Sequence, residues 1–377
     1  MAPYLGQTED IPVSLVREIS SSERKHEQDP LLWEGVDFVD SEPSFIYCLS
    51  EAEVTEVRHA LKDFLELGLD GGAVSPVNFR LPTLGPVLCR LGAALHIGKG
   101  FGVVRGLDPA NFSDEDNLVL FLGLSSYIGG LRGKQTDDGS VLSHLHSPLG
   151  LTSTQLARPL KYSKRFAEFH NDIGCDIIAM QTRSLAARGG DHLLASIAKI
   201  FDHISRTRPD LAEALLTPNW PLNIQRRWCA TETRALVFRT DDGRILSSII
   251  PDALLGPPGG TQGASGLPLL TPQQTEALAL FQDVATQYQL KLVSQPGDLM
   301  FVNNWAVVHG REAFEDDGDQ VRYLIRLWLR NEKLAWHLPE PLRIANHMVF
   351  DDKTLPEKWN IHRLDNVKFE AYERLAP

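Results

Sequence analysis

Apolar and polar positions run through this chain in two rhythms, and the first half opens in the helical one. Ser50 followed by Glu53 forms a capping box, and Val54, Val57, Leu61, Phe64 and Leu65 recur at helical spacing, which predicts an amphipathic helix ending near Gly68. A second helix is expected from about Leu84 to Leu95, then a Gly98-Lys99-Gly100 turn and a buried strand from Phe101 to Val104. Ser113 with Asp114, Glu115 and Asp116 starts another helix, because carboxylates favour its positive end; it continues through Leu124 until Gly129-Gly130 stops it. From Leu131 to Leu160 the chain reads as loop, except where Val141, Ser143 and Leu145 alternate with Leu142, His144 and His146.

The second half is mostly in the strand rhythm. Asp176 to Thr182 reads as a buried strand, and Gly189-Gly190-Asp191 as a tight turn into an apolar run and helix. Arg208-Pro209-Asp210 opens a short helix, and Trp220 to Pro251 alternates in the β manner. Gly256 to Gly266, with five glycines and two adjacent prolines, reads as a flexible, lid-like loop. Thr271-Pro272-Gln273-Gln274 combines an N-cap, a proline at the first helical position and a glutamine at the third, and Leu278, Phe281, Ala285 and Tyr288 carry the helix's apolar face. Lys291 to Ser294, a Pro296-Gly297-Asp298 turn, Leu299 to Asn303, a loop holding His309, and Val321 to Arg330 follow. In the last strand Arg322, Leu324, Arg326, Trp328 and Arg330 share one face, and Tyr323, Ile325, Leu327 and Leu329 the other. Turned into a cavity, the arginine side would receive an anion.

Composition narrows the class. At 377 residues, 43% hydrophobic and 23% charged, the chain can bury a sizeable core. Residues 1–30 are polar and charge-rich and are expected to form a partly disordered extension, with 31–377 as one domain and lid-like loops near 131–165 and 251–270. The net charge of −12 and the absence of a long basic run argue against a nucleic-acid partner. Four scattered cysteines without a C-x-x-C suggest a reducing compartment, and Met1 to Gln7 shows no basic region followed by an apolar run, so a cytoplasmic location is expected. The most apolar segment, Leu118 to Leu131, is too short to span a bilayer.

The candidate chemistry centres on Phe169-His170-Asn171-Asp172. Residues two apart on an extended strand project from one face, so His170 and Asp172 can address one ion while Asn171 points away. His309 is the candidate third ligand. Two histidines and a carboxylate on one face of a ferrous ion leave positions open for a chelating co-substrate and dioxygen. If that co-substrate is 2-oxoglutarate, its far carboxylate needs a fixed fork of donors, and Arg322, thirteen residues beyond His309, is placed to supply it. The rival pair His144-x-His146 has no carboxylate at ligand spacing and reads instead as pocket lining or simple packing, with His144 the candidate substrate-binding residue. Two other classes stay open: a zinc-dependent hydrolase at the same triad, for which nothing indicates a general base, and a non-catalytic binding protein.

These pieces in order, with the glycine pair before Asp191, Pro296-Gly297-Asp298 through Asn303-Asn304 to His309-Gly310-Arg311, and Arg322 to Arg330, resemble the TauD/TfdA family of iron(II)/2-oxoglutarate oxygenases over roughly residues 95 to 335. The chain looks nearest a branch associated with fungal secondary metabolism. The resemblance implies an α+β protein with a distorted double-stranded β-helix, or jelly roll, flanked by helices. It implies His170, Asp172 and His309 as iron ligands, Arg322 as the 2-oxoglutarate clamp, and Fe(II), 2-oxoglutarate and O2 as the reacting partners of a small-molecule substrate. Arg326 is assigned to a substrate carboxylate, with pairing to a buried acid as the other reading. Where relatives often carry threonine or serine after the Gly-Gly-acid turn, this chain has His192, expected to supply an imidazole donor to 2-oxoglutarate. The implied reaction is oxidation of an unactivated C–H bond of a small carboxylate-bearing substrate, an amino acid among the candidates, by hydroxylation, desaturation or cyclisation. Oligomeric state is left open, a homodimer included.

Overall fold

In the computed structural model of the protein, four α-helices start at a capping side chain, Ser50, Ser113, Ser196 and Thr271. The structure describes residues 29–39, 41, 44–147, 160–222, 232–255 and 268–359. Ser50 and Glu53 form a reciprocal capping box at α1 (Glu51–Glu66). After α2 (Leu84–Ile97), the Ser113 hydroxyl accepts from the Asp116 N–H at the start of α3 (Asp114–Ser126). Every α3 residue from Asn117 onward is buried, which accounts for the apolar run, and no helix among the described residues is long and apolar enough to cross a membrane. The later helices are α4 (Ile197–Thr207), α5 (Pro209–Leu216), α6 (Pro251–Leu255), α7 (Pro272–Tyr288), with its Thr271/Gln274 capping box, and α8 (Glu340–Phe350).

Eleven strands build two facing sheets: β1 (Ile46–Cys48), β2 (Phe101–Arg105), β3 (Leu131–Gly133), β4 (Leu142–His146), β5 (Ala167–His170), β6 (Ile177–Ser184), β7 (His192–Ser196), β8 (Leu290–Leu292), β9 (Leu299–Asn303), β10 (Val307–Arg311) and β11 (Tyr323–Arg330). The larger sheet has the order β1-β2-β9-β6-β11-β3, with β4 beside β3 on the same edge of β11, and the smaller one β8-β7-β10-β5. All these pairings are antiparallel except β1 with β2.

The alternation along β11 sorts the core. Leu324 and Trp328 point between the sheets and pack with Phe169, Leu194, Val308 and helices α4, α5 and α7. Ile325, Leu327 and Leu329 point the other way, against α1, α2 and α3. This is the distorted jelly roll of an α+β protein, with the smaller sheet over one face of the larger and helices over the other.

Two expectations change. His309 lies in strand β10, not in a loop; β10 is buried at all five positions between β5 and β7, so no alternation marks it. Part of the stretch expected as loop after Leu131 is also strand: β3 pairs with Trp328 to Arg330, and three residues are too few for a periodicity to show. Of the expected lid loops, residues 148–159 and 256–267 lie outside the described residues, as do 1–28 of the N-terminal extension and 223–231.

Candidate metal and co-substrate site

β5 and β10 are hydrogen-bonded neighbours, and His309 stands directly opposite His170 with ring centroids 4.2 Å apart. β5 ends at His170, so Asp172 reaches the same place from the turn that follows rather than from an extended strand. One nitrogen of each histidine and one Asp172 oxygen lie within 4.8 Å of one another. His170 Nδ1 lies 2.7 Å from the Glu168 carbonyl oxygen, which makes it the N–H donor and leaves Nε2 as a lone-pair donor. His309 Nδ1 is buried with no partner among the described residues. Two imidazole nitrogens and a carboxylate oxygen converging within 4.8 Å are a donor set that suits a divalent cation, so these residues fit a metal.

The turn after β5 is held by side-chain amides. Asn304 Oδ1 accepts from the Asp172 N–H at 2.8 Å, and its Nδ2 donates to the carbonyls of Asp172 and Cys175 at 2.7 and 2.8 Å. Asn171 does point away from the ligand groups. It donates to the Asn304 carbonyl, and its own Oδ1 accepts from Ser247 Oγ and the Ile249 N–H at 2.7 and 2.9 Å.

The Asp172 carboxylate is also met from β11. Arg326 Nη1 lies 3.0 Å from one oxygen and 2.8 Å from the other, and Trp328 Nε1 donates at 2.8 Å. Arg326 Nε donates to Gln135 Oε1 at 2.8 Å. Burial alone would raise the Asp172 carboxyl, but Arg326, His309 and His170 together with the Trp328 bond hold it below the usual carboxylate range. Burial, reinforced by the neighbouring His170, drops His309 to about 3. An ionised carboxylate and a neutral imidazole are the forms that bind metal.

Arg322 comes from just before β11 and is almost fully buried. Its Nε donates to the Gly190 carbonyl at 3.1 Å, and its Nη atoms make no hydrogen bond among the described residues. Gly190 has φ +86°, and a Cβ there would stand 2.9 Å from Arg322 Cδ, so the turn needs glycine both for its backbone and for the arginine. Burial and the nearby Arg311 lower Arg322 to about 9. Of the acids near it, Asp316 pairs with Lys164 at 2.8 Å and accepts from the Arg322 backbone N–H at 2.8 Å, and Asp191 pairs with Lys291 at 3.4 Å. His192, buried in β7 opposite Arg311, is kept neutral by burial and by Arg322, His309 and Arg311.

His144 does not join this group. Its cross-strand partner is Ile325, which faces the outer core; its ring stacks on Tyr323 and its Nδ1 lies 2.7 Å from the Tyr323 hydroxyl. Alternation placed His144 and Arg326 each on a face of its own strand, but only the β4–β11 register shows that the faces are opposite. Asn304, Gln135 and Trp328 were not singled out from sequence as partners of the site, because 132 to 191 residues separate each contact.

A jelly roll presenting two histidines and one carboxylate, with a buried arginine close by, defines a non-haem iron oxygenase site. The chain belongs to the TauD/TfdA family: the family model described as "Taurine catabolism dioxygenase TauD, TfdA family" matches residues 66–328. It is thereby a non-haem iron(II), 2-oxoglutarate-dependent dioxygenase that uses O2. Among similar proteins is the "Taurine hydroxylase-like protein SAT17" of Stachybotrys chartarum, 35% identical over 343 residues, 88% of this chain and 86% of that one. The FR-33289 synthase of Streptomyces rubellomurinus is 22% identical over 305 residues, covering 78% and 87% of the two chains. The fold is shared with an asparagine oxygenase solved with Fe(II), 2S,3S-3-hydroxyasparagine and succinate (TM-score 0.59, 15% identity, 76% of this chain and 93% of that one). It is shared also with the non-haem iron oxygenase OrfP in complex with Fe and alpha-ketoglutaric acid (TM-score 0.55, 17% identity, 76% and 94%).

Proposed function

We propose that the enzyme oxidises an unactivated C–H bond of a small carboxylate-bearing substrate, an amino acid in the first instance, in secondary metabolism in the cytosol. His170, Asp172 and His309 hold the iron, and Arg322 with His192 receives 2-oxoglutarate. The observation that carries this reading is the grouping of three ligand atoms, one each from His170, Asp172 and His309, within 4.8 Å.

When bound, iron would let 2-oxoglutarate and the C–H bond each give two electrons to dioxygen, one oxygen atom ending in succinate as carbon dioxide leaves and the other ending in the hydroxylated product or in water. The protein's residues supply position and charge. Trp328 and Arg326 keep Asp172 ionised and fix its two oxygens, Asn304 fixes the turn that carries it, and the Glu168 carbonyl sets the tautomer of His170. Arg322 offers a buried fork to a carboxylate, and neutral His192 offers a ring nitrogen beside it without competing for the anion's charge. The hydroxylated amino acids in the neighbouring structures support the substrate class.

Adding Fe(II) and 2-oxoglutarate without oxygen is expected to produce a weak visible charge-transfer band, and admitting oxygen with substrate should release succinate. A protein that binds both and shows no band contradicts the assignment. Substitution of His309 by alanine should abolish the band.

A further inference from the structure

Arg326 was the expected anchor for a substrate carboxylate, yet its guanidinium is taken up by Asp172 and Gln135. Two other charged side chains, Arg165 and Asp252, lie in segments that adjoin the His170 turn. Arg165 precedes β5; its Nε and backbone N–H donate to Ser163 Oγ at 3.0 and 3.1 Å, and its carbonyl accepts from Arg311 Nη2, which ties the segment to β10. Arg165 Nη2 is buried with no acceptor among the described residues.

Asp252 lies on α6. The chain leading into α6 is stitched to the turn between His170 and Asp172: the Asn171 N–H donates to the Ile249 carbonyl at 2.8 Å, and Asn171 Oδ1 accepts from Ile249 and Ser247. Asp252 is half-buried and makes no hydrogen bond or ion pair among the described residues. Burial raises its carboxyl above the ordinary range, opposed by the charges of His170 and Arg165. An unmet buried donor costs about 1–3 kcal/mol, which a ligand carboxylate at Arg165 Nη2 would relieve, and the unpaired Asp252 carboxylate would accept from a ligand cation.

Resting on the oxygenase reading of the site, we propose that Asp252 and Arg165 are the substrate-anchoring pair, Asp252 receiving the ammonium group and Arg165 the carboxylate of a small aminocarboxylate. Both are specificity-determining residues: neither belongs to the metal or 2-oxoglutarate sets, and together they select a zwitterion over a simple acid or a simple amine.

The test uses the full chain loaded anaerobically with Fe(II) and 2-oxoglutarate. The charge-transfer band reports the co-substrate, and calorimetric titration with the common L-amino acids reports the second ligand. For the tightest binder, the N-acetyl derivative removes the cation and the carboxamide removes the anion, and each should bind at least about ten-fold more weakly. Asp252→Asn should weaken the free amino acid by a similar factor without further weakening the N-acetyl derivative, and Arg165→Gln should do the same with respect to the carboxamide. Both variants should keep the band with 2-oxoglutarate alone, which shows that they fold; a variant without the band is replaced by Asp252→Ser or Arg165→Met for the same titrations. A derivative that binds as well as its parent, variants that leave affinity unchanged, or no binding by any amino acid while the band is present overturns the anchoring pair. Absence of the band in the unmodified protein overturns the oxygenase reading and this inference with it.

Discussion

Arg326 Nη1 lies 2.8 Å from one oxygen of Asp172 and 3.0 Å from the other, with both side chains buried. Removing one member of such a pair leaves an uncompensated charge, which costs about 3–5 kcal/mol, whereas losing a residue that orients a ligand typically weakens metal binding about 10–100-fold. Arg326→Leu is therefore expected to lower stability and Fe(II) affinity together, measured by urea denaturation and metal titration. Unaltered metal affinity with loss of substrate affinity alone would return Arg326 to a substrate role.

Asn304 makes three hydrogen bonds to the main chain of the turn that carries Asp172. Asn304→Leu leaves a buried N–H and two carbonyls without those partners, and a loss of about 2–4 kcal/mol is expected, since each unmet group costs about 1–3 kcal/mol and the turn relaxes in part. The same variant should bind Fe(II) more weakly. Full metal affinity in a destabilised variant would show that Asn304 only supports the fold.

Arg322 and Gly190 are expected to act on 2-oxoglutarate and not on iron. Arg322→Gln should raise the concentration of 2-oxoglutarate needed for the charge-transfer band by about 100-fold, because a buried charge-assisted pair is lost. Gly190→Ala should also weaken 2-oxoglutarate, since the new methyl would stand 2.9 Å from Arg322 Cδ. Fe(II) binding that falls in parallel would place the arginine at the metal instead.

Stability should fall as the solution is acidified. Folded His309 titrates at about 3 and His192 well below its ordinary value, against about 6.5 in the unfolded chain. Below pH 6.5 the unfolded state binds more protons, so the contribution of these neutral imidazoles is complete above that pH and is lost as pH drops toward 3. The lowered carboxyl of Asp172 adds a loss in the same direction at the acid end. Urea midpoints of the metal-free protein should decline from pH 7 to pH 5, and His192→Gln should flatten the slope. An equally steep decline in that variant would mean that His192 is not the neutral buried group described.

Local chemistry was legible in the chain itself. The capping residues Ser50, Ser113 and Thr271 determine where helices begin, because a cap bonds to residues two or three positions away. The alternation of Leu324, Arg326 and Trp328 against Ile325 and Leu327 determines which side chains of β11 share a face, because strand geometry has period two. His170, Asp172 and His309 were likewise visible as residues able to ligate one ion. Only the tertiary structure decided who meets whom. Register across β5 and β10 puts His309 opposite His170, register across β4 and β11 turns His144 away, and the approach of β11 to the turn after β5 gives Arg326 to Asp172. The segments that carry Arg165 and Asp252 adjoin the His170 turn for the same reason: hydrogen bonds between distant segments set their positions, and no local periodicity encodes those bonds.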